Sequence, residues 1–500
     1  MRNLDAWRIF LEAHYKPLFT ALCFLFIYPI VAADILHRDD IWRIVSGDYG
    51  WNGLGRPLAS GFSLLASLSG GQLVDTAPLG QLFFSMCLLA SMILTTIFFK
   101  KEYRNCSCLP LAIVFFNPFM LGNILYQYDS FGMGLAILLV VIGLTMSSSP
   151  TSFRFFYSVG LFSAVLALYQ PTLNLLVGLT ALQVAVHSTI LEDLRGAIKV
   201  LVYRVTQFCA AYAVYTVVVG RFLTGERAEL VEISGNGFAL VFDNAMQFTK
   251  FAMHFFEGEH YTFKATILVF LVLSVLSITI SIGRSRGNLT VATGFLVAFL
   301  GAFLSWFGPM LILDEVSATY RTMPTIYVPL AVASVYLTQS RKFWPVALIP
   351  LFVTLILTYQ TMAAYKSQRY FDNYVAQMIV ADLNAAQRLN ATVYTFGSVP
   401  DAPHTFHLRD QHSIIDQLTA PAKTWVLEGL LIKMGLKNTK ALWNASRQAV
   451  EVHFAAIPCG DLKIVSATNL YTIVAADMEI FVLMPDVNSS YCFDTKQQPL

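Results

Sequence analysis

The sequence predicts an all-α polytopic membrane protein of about eleven transmembrane helices, closed by a small α/β domain at its C-terminal end. Three observations predict it. Hydrophobic residues make up 56% of the 500 residues and charged residues only 13%, whereas a soluble chain is nearer half apolar and a quarter charged. Mean hydropathy is +0.60. Long apolar runs follow one another as far as residue 363 and then stop. The same composition excludes disorder and coiled coil. A formal net charge of +2 points to no nucleic-acid partner. Seven cysteines in such a length are not a disulfide scaffold.

About 20 mostly apolar residues cross a bilayer core. The runs that approach this length are 17–34, 79–99, 109–126, 131–147, 155–169, 172–190, 199–219, 264–282, 289–313, 323–338 and 344–363. Two pairs abut across short links, Gln127-Tyr128-Asp129-Ser130 and Tyr169-Gln170-Pro171, whose polar residues and proline favour a tight turn over one long helix. Most Lys and Arg fall on the side of the N-terminus, among them Lys100, Lys101, Arg154, Arg195, Lys199 and Arg204. That bias sets the N-terminus inside and, with an odd number of spans, the C-terminus outside. The first run lacks a small-residue cleavage site before Asp34 and is expected to remain as a span. Residues 1–363 then form the membrane domain, with long outside loops at 35–78 and 220–263. Residues 364–500 form an outside domain.

In that domain an amphipathic helix is expected over 365–390, with Tyr370, Tyr374, Met378 and Leu383 along its stripe. Strands are expected at Thr392–Phe396, Val450–Ala455, Tyr471–Ala475 and Glu479–Met484, with a helix at Thr424–Met434. Cys459 and Cys492 lie on the oxidising side, where they can pair or stay as two thiols. Cys106 and Cys108, a lone C-x-C inside, read as ordinary thiols.

The most informative stretch is Asp34-Ile35-Leu36-His37-Arg38-Asp39-Asp40-Ile41-Trp42-Arg43, where the first span leaves the membrane. Adjacent carboxylates repel, so a pair such as Asp39-Asp40 needs a partner or a task. On a helix Asp40 and Arg43 share a face. An acid and a guanidinium at the membrane surface suit a substrate with a hydroxyl to deprotonate and a phosphate to bind. The plainer alternative is an interfacial helix whose charges sit among headgroups. Next comes Trp51-Asn52-Gly53-Leu54-Gly55-Arg56-Pro57-Leu58, where Trp51 offers a flat face for a sugar or a simple interfacial anchor. Tyr128, Asp129, Tyr169, Gln170, Asp314 and Arg321 stand at span ends on the same side. Ionisable groups at membrane depth are functional candidates, although those at span ends can snorkel. His254, Glu257, Glu259 and His260 read as a solvated loop rather than a metal site. No phosphate-loop or dinucleotide fingerprint is present, so a nucleotide substrate is not supported.

A first span, an outside Asp39-Asp40 with Arg43 three residues on, Trp51 and Gly55-Arg56-Pro57-Leu58 together resemble the serotype-converting O-antigen glucosyltransferases of bacteria and their phages, polytopic enzymes of the GT-C type. Tyr128-Asp129 and Tyr169-Gln170 fit the same pattern, and the layout agrees over most of 1–363. The resemblance implies a GT-C-like fold in the bacterial inner membrane, a cytoplasmic N-terminus and a periplasmic C-terminal domain. It implies a sugar, usually glucose, carried on undecaprenyl phosphate and transferred to a lipid-linked O-antigen glycan. By position Asp40 is the base and Asp39 orients the acceptor, with the reverse assignment open. Arg43, Arg56 and Arg321 are the cations for the donor phosphate. Trp51, Tyr128, Asp129, Tyr169, Gln170 and Asp314 line the substrates. No cofactor is implied; some GT-C enzymes use a divalent metal, but no residue set here calls for one. The competing readings are a GT-C enzyme for another acceptor, such as lipid A or protein, and a transporter or flippase of polyprenyl-linked glycans. A transporter would carry ionisable groups near the bilayer midplane, whereas these acids gather at one surface.

Overall fold

Each apolar run of the sequence contains a helix in the computed structural model, which describes residues 2–103, 106–146, 152–220, 235–285, 288–314, 316–440 and 444–487. Six helical stretches among the described residues are long and apolar enough to cross a membrane: Tyr15–Ala33, Leu79–Glu102, Ser152–Ile190, Leu194–Val218, Tyr261–Arg284 and Trp344–Ala385. The runs near 109, 130, 289 and 328 give shorter apolar helices.

Packing divides the chain into two units. The first holds Met1–Asp34 and Tyr49–Tyr359, the second Ile35–Asp48 and Gln360–Leu500. The sequence suggested a boundary at 363 and kept 35–78 with the membrane part; the contacts put the acidic stretch with the C-terminal residues.

In the first unit, small residues let helices approach closely, the main source of helix association in lipid. A Cβ on Gly134 would lie 2.7 Å from the Cα of Phe84, which fixes helix Ser130–Met146 against Leu79–Glu102. Gly301 meets Ala181 in the same way, between helices Asn288–Leu304 and Asn174–Ile190. The run at 109–126 is not one helix. It stops after Phe115 and resumes at Leu121–Ile124. Asn117 fills the break: its Nδ2 donates to the carbonyls of Val114 (3.0 Å) and Pro324 (2.9 Å), and its Oδ1 accepts from the Phe119 N–H. Freed backbone groups at membrane depth must find such partners. The link at 170 is a turn, as its proline suggests: Tyr169 is extended and Gln170–Leu173 is a single 3-10 turn. Among the described residues of this unit, the stretches read as loops contain the apolar helix Pro57–Ser67 and the 23-residue helix Gly235–Glu257.

The second unit is built on a four-stranded sheet in the order β1-β4-β3-β2, with β1 Thr392–Phe396, β2 Lys463–Ala467, β3 Thr472–Ala476 and β4 Glu479–Leu483. β1 and β4 are parallel; the other pairs are antiparallel. Side chains alternate across it. Ile480 and Val482 enter a core with Ile379, Leu383, Leu427 and Leu431, while Phe481 faces Phe454 and Leu462 on the other side. β2 was not foreseen. The expected strand Val450–Ala455 is instead part of helix Asn444–Ala456. Its alternating Val450, Val452 and Phe454 misled, because Val452 is exposed and only Phe454 is buried, and the surrounding Ala, Arg, Gln and Glu favour helix.

The last apolar run does not end at 363. One helix, Ile349–Ala385, continues through 37 residues. Its buried stripe in the second unit is Asp372, Val375, Ala376, Ile379 and Leu383, so Tyr370 and Tyr374, expected on that stripe, are exposed. Cys459 is disulfide-bonded; Cys492, for which pairing was left open, lies outside the described residues.

Ile41 is fully buried in the same core. The helix Asp39–Ser46 packs on Trp425–Lys433, where a Cβ on Gly429 would come 2.8 Å from Ile41 Cγ2. Gly429→Ala should therefore cost about 1–3 kcal/mol by overpacking. Gly160→Ala, on helix Ser152–Tyr169 with nothing within 4 Å of its Cβ, should gain up to about 1 kcal/mol. Thermal unfolding of the two purified variants checks the contrast; an unchanged midpoint for Gly429→Ala would show that Ile41 is not tightly held.

Candidate functional site

The residues singled out in the sequence fall into two clusters, one in each unit.

In the second unit the chain turns sharply before the acidic helix. Arg38 has φ +42°, a conformation that costs a non-glycine residue about 1–3 kcal/mol. Its Nη2 donates to the Gln417 carbonyl at 2.7 Å. The helix Asp39–Ser46 then begins with both acids in its first turn and ends with Gly47 in the left-handed region. This polarity is favourable, since carboxylates oppose the positive end of the helix dipole. Asp40 is fully buried and Asp39 part-exposed. Arg43, one turn on, lies 3.8 Å from Asp40 Oδ1, as the three-residue spacing requires.

Behind this helix runs a buried relay that the sequence did not disclose. His37 Nδ1 is 2.6 Å from the Tyr365 hydroxyl. That hydroxyl accepts from Arg369 Nη2 at 3.3 Å, and the guanidinium lies 5.0 Å from the Tyr365 ring centroid. Arg369 Nη1 pairs with Asp372 Oδ2 at 2.6 Å. The other Asp372 oxygen accepts from Gln368 Nε2 (2.9 Å) and from the Ala422 N–H (3.2 Å). Arg38 and Asp40 lie close enough to act on Tyr365 electrostatically. The one local signal was Arg369-x-x-Asp372, opposite charges three apart on a helix.

In the first unit, Trp51 is buried among Ala59, Leu73 and Tyr128. Its indole Nε1 donates to Asp129 Oδ1 at 2.7 Å. A 3-10 turn at Asn52–Leu54 and Gly55 at φ +73° then bring the chain to Arg56, which precedes Pro57 at the start of the next helix. Arg56 is fixed on two sides. Its Nε donates to Gln170 Oε1 at 2.7 Å, and its guanidinium stacks 4.7 Å from the Tyr169 ring centroid. Gln170 Nε2 donates to the Leu54 carbonyl, and Tyr215, unforeseen in the sequence, donates to the Gly55 carbonyl at 2.9 Å. Tyr169 donates to the Arg321 carbonyl at 2.8 Å, while the Arg321 guanidinium stacks on Tyr126. A Cβ on Gly122 would meet the Arg321 backbone nitrogen at 2.7 Å, so only glycine admits that approach. Loss of hydration lowers the Arg56 pKa, Tyr169 and the Asp129 carboxylate oppose that shift, and the like charge of Arg321 adds to it.

Trp51, Tyr128, Asp129, Arg56, Tyr169, Gln170 and Arg321 therefore form one connected group. Asp314 does not join it; it is exposed after the 3-10 turn Gly308–Ile312. Two guanidiniums in each other's field, with one carboxylate oxygen committed to an indole, make a place suited to a phosphate anion. A groove of about 620 Å³ reaches this group at Pro57 and Tyr215 and is lined also by Asn52, Leu58, Ala164, Ala167 and Val214. Among the described residues no three His, Cys, Asp or Glu side chains are grouped to hold a metal ion.

A family model described as Glucosyl transferase GtrII matches residues 28–338. That stretch contains Asp39, Asp40, Arg43 and the whole of the first-unit cluster. A Salmonella phage P22 protein, described as an uncharacterized 55.3 kDa protein in the gtrB 5′ region, is 25% identical over 251 residues. The alignment covers 49% of this chain and 51% of the phage protein, so this chain matches about half the length of that relative. No solved structure matches.

The relay makes a stability test. Arg369→Met leaves the buried Asp372 carboxylate without its cation and should cost about 3–5 kcal/mol. Arg369→Met with Asp372→Asn removes the orphan charge yet keeps an acceptor for the Ala422 N–H, and should recover most of the loss. Equal unfolding midpoints for the single and double variants would show that the ion pair does not hold this region.

Proposed function

This chain belongs to the glucosyl transferase GtrII family, and we propose that it moves a sugar, glucose, from undecaprenyl phosphate to an O-antigen glycan at the periplasmic face of the bacterial inner membrane. The observation that carries the reading is the Arg56–Arg321–Asp129 group beside an apolar groove. A polyprenyl-phosphate sugar needs both features: cations for its phosphate and a greasy channel for its chain. The phage relative, described by its place beside gtrB, supports the O-antigen setting.

In this mechanism Arg56 and Arg321 bind the donor phosphate. Asp39 hydrogen-bonds the acceptor sugar, and Asp40 takes the proton from the acceptor hydroxyl. That oxygen attacks the anomeric carbon. The new glycosidic bond forms as the bond from anomeric carbon to phosphate oxygen breaks, its electron pair leaving on undecaprenyl phosphate. One displacement inverts the anomeric configuration. Base catalysis contributes about 10²–10⁴-fold, and charge stabilisation on the leaving phosphate is usually the largest single contribution. The fixed plane of Arg56 supports that role, because a cation held before the reaction need not reorganise during it. Trp51, Tyr128, Tyr169 and Gln170 shape the sugar site around these charges.

Transfer to O-antigen in membranes, measured as product glycan per unit protein, tests the acids. Asp40→Asn should lower kcat by about 10²–10⁴-fold in protein that still folds. Asp39→Asn should mainly raise the acceptor KM. The opposite pattern would exchange the two roles, and full activity in both variants would remove the acid pair from the chemistry. Arg56→Gln should weaken donor use by about 10–100-fold, the worth of a charge-assisted hydrogen bond.

A further inference from the structure

A second cavity, of about 380 Å³, lies within the first unit at the far ends of the helices that carry the Arg56 cluster. His187 is on its wall. Helix Asn174–Ile190 separates that residue from the Gln170 turn by about 20 Å at 1.5 Å per residue. Nothing in the proposed transfer reaction uses this cavity.

Its wall is mostly apolar, with Phe98, Leu191 and Val200, and most of its polar groups are cationic or hydroxylic. Lys199 is exposed at the rim, whereas Arg204 is only 4% exposed and forms part of the wall. The Arg204 guanidinium is aimed by three contacts: Nη2 to the Leu144 carbonyl (2.9 Å), Nη1 to Gln207 (2.9 Å) and Nε to Gln183 (3.4 Å). Tyr103 and Tyr203 bring hydroxyls, and the Tyr103 hydroxyl stands 3.4 Å from His187 Nδ1. The other His187 nitrogen faces Asp193, which caps the next helix by accepting from the Gly196 N–H. Glu102 is the carboxylate on the wall, against Lys199 and Arg204.

The neighbouring surface is apolar. Ile198, Val202 and Val205 are exposed along one stripe of helix Leu194–Val218, a helix long and apolar enough to cross a membrane. Cations at a span end beside a bare hydrocarbon-facing stripe match an amphiphile with a charged head and a greasy chain.

We infer that this cavity binds the phosphate ester of an anionic phospholipid, held by Lys199 and Arg204 with the Tyr203 hydroxyl as a further donor, its acyl chain lying along Ile198, Val202 and Val205. The site is separate from the donor cluster, and its occupant stabilises the helix ends rather than reacting.

Purified full-length protein in nanodiscs tests this. Phosphatidylglycerol discs should raise the unfolding midpoint by several degrees over phosphatidylcholine discs, and native mass spectrometry should show retained phosphatidylglycerol. Lys199→Gln, at an exposed position, should fold and lose that shift, with retained lipid falling about 10-fold, the worth of one charge-assisted hydrogen bond. Tyr203→Phe should lose part of it. Inorganic phosphate added to phosphatidylcholine discs is the control for source. A Lys199-dependent shift from phosphate alone would overturn the lipid assignment in favour of a free anion. Equal shifts and equal lipid retention in wild type and both variants would overturn the site altogether.

Discussion

A polar group buried in a chain as apolar as this one is best closed by another polar group of the same chain. An unpaired amide or hydroxyl in an apolar medium costs about 2–7 kcal/mol, and an unpaired charge far more. This constraint explains why the candidate site is a network rather than a set of isolated residues. Gln170 spans Arg56 and the Leu54 carbonyl, Tyr215 ties Gly55, and Trp51 ties Asp129. The break at Asn117 follows the same rule with no charge involved. A group that closes its own hydrogen bonds also fixes the plane of Arg56, and a fixed cation is what a developing phosphate charge needs.

The acids obey a different control. Asp39 and Asp40 follow the first span directly in sequence, yet their helix packs in the core of the second unit through Ile41. Arg38 takes a strained turn to deliver that helix, and the His37–Tyr365–Arg369–Asp372 relay ties its entry to the long helix. The C-terminal residues therefore do more than cap the chain: they hold the acidic loop in place.

Much of this was legible in the residues. Apolar runs located the helices, because burial in lipid needs only composition and length. Asp129, Tyr169 and Gln170 stood out as polar residues at span ends, and Trp51 and Arg56 in the loop after the first span; the fold brings them together. Their partners Tyr215 and Tyr126 did not stand out, since one more tyrosine in an apolar helix carries no sign of what it faces. The relay was hidden for a related reason. Arg369 and Asp372 sit on a helix whose exposed tyrosines suggested another stripe, and a shift of one position turns a helix face by about 100°. Asp314 looked equivalent to Asp129 in sequence; only the fold separates the exposed acid from the buried one. Val450–Ala455 failed because alternation over six residues fits a helix with one buried contact as well as a strand.

The most direct test of the central claim is the identity of the sugar donor. Purified protein is given undecaprenyl-phosphate glucose and O-antigen glycan, with every nucleotide sugar removed. The account expects glucosylated glycan with inverted anomeric configuration and release of undecaprenyl phosphate in equal amount. Product formed only when a nucleotide sugar is supplied, or none from the lipid donor by folded protein, would contradict it.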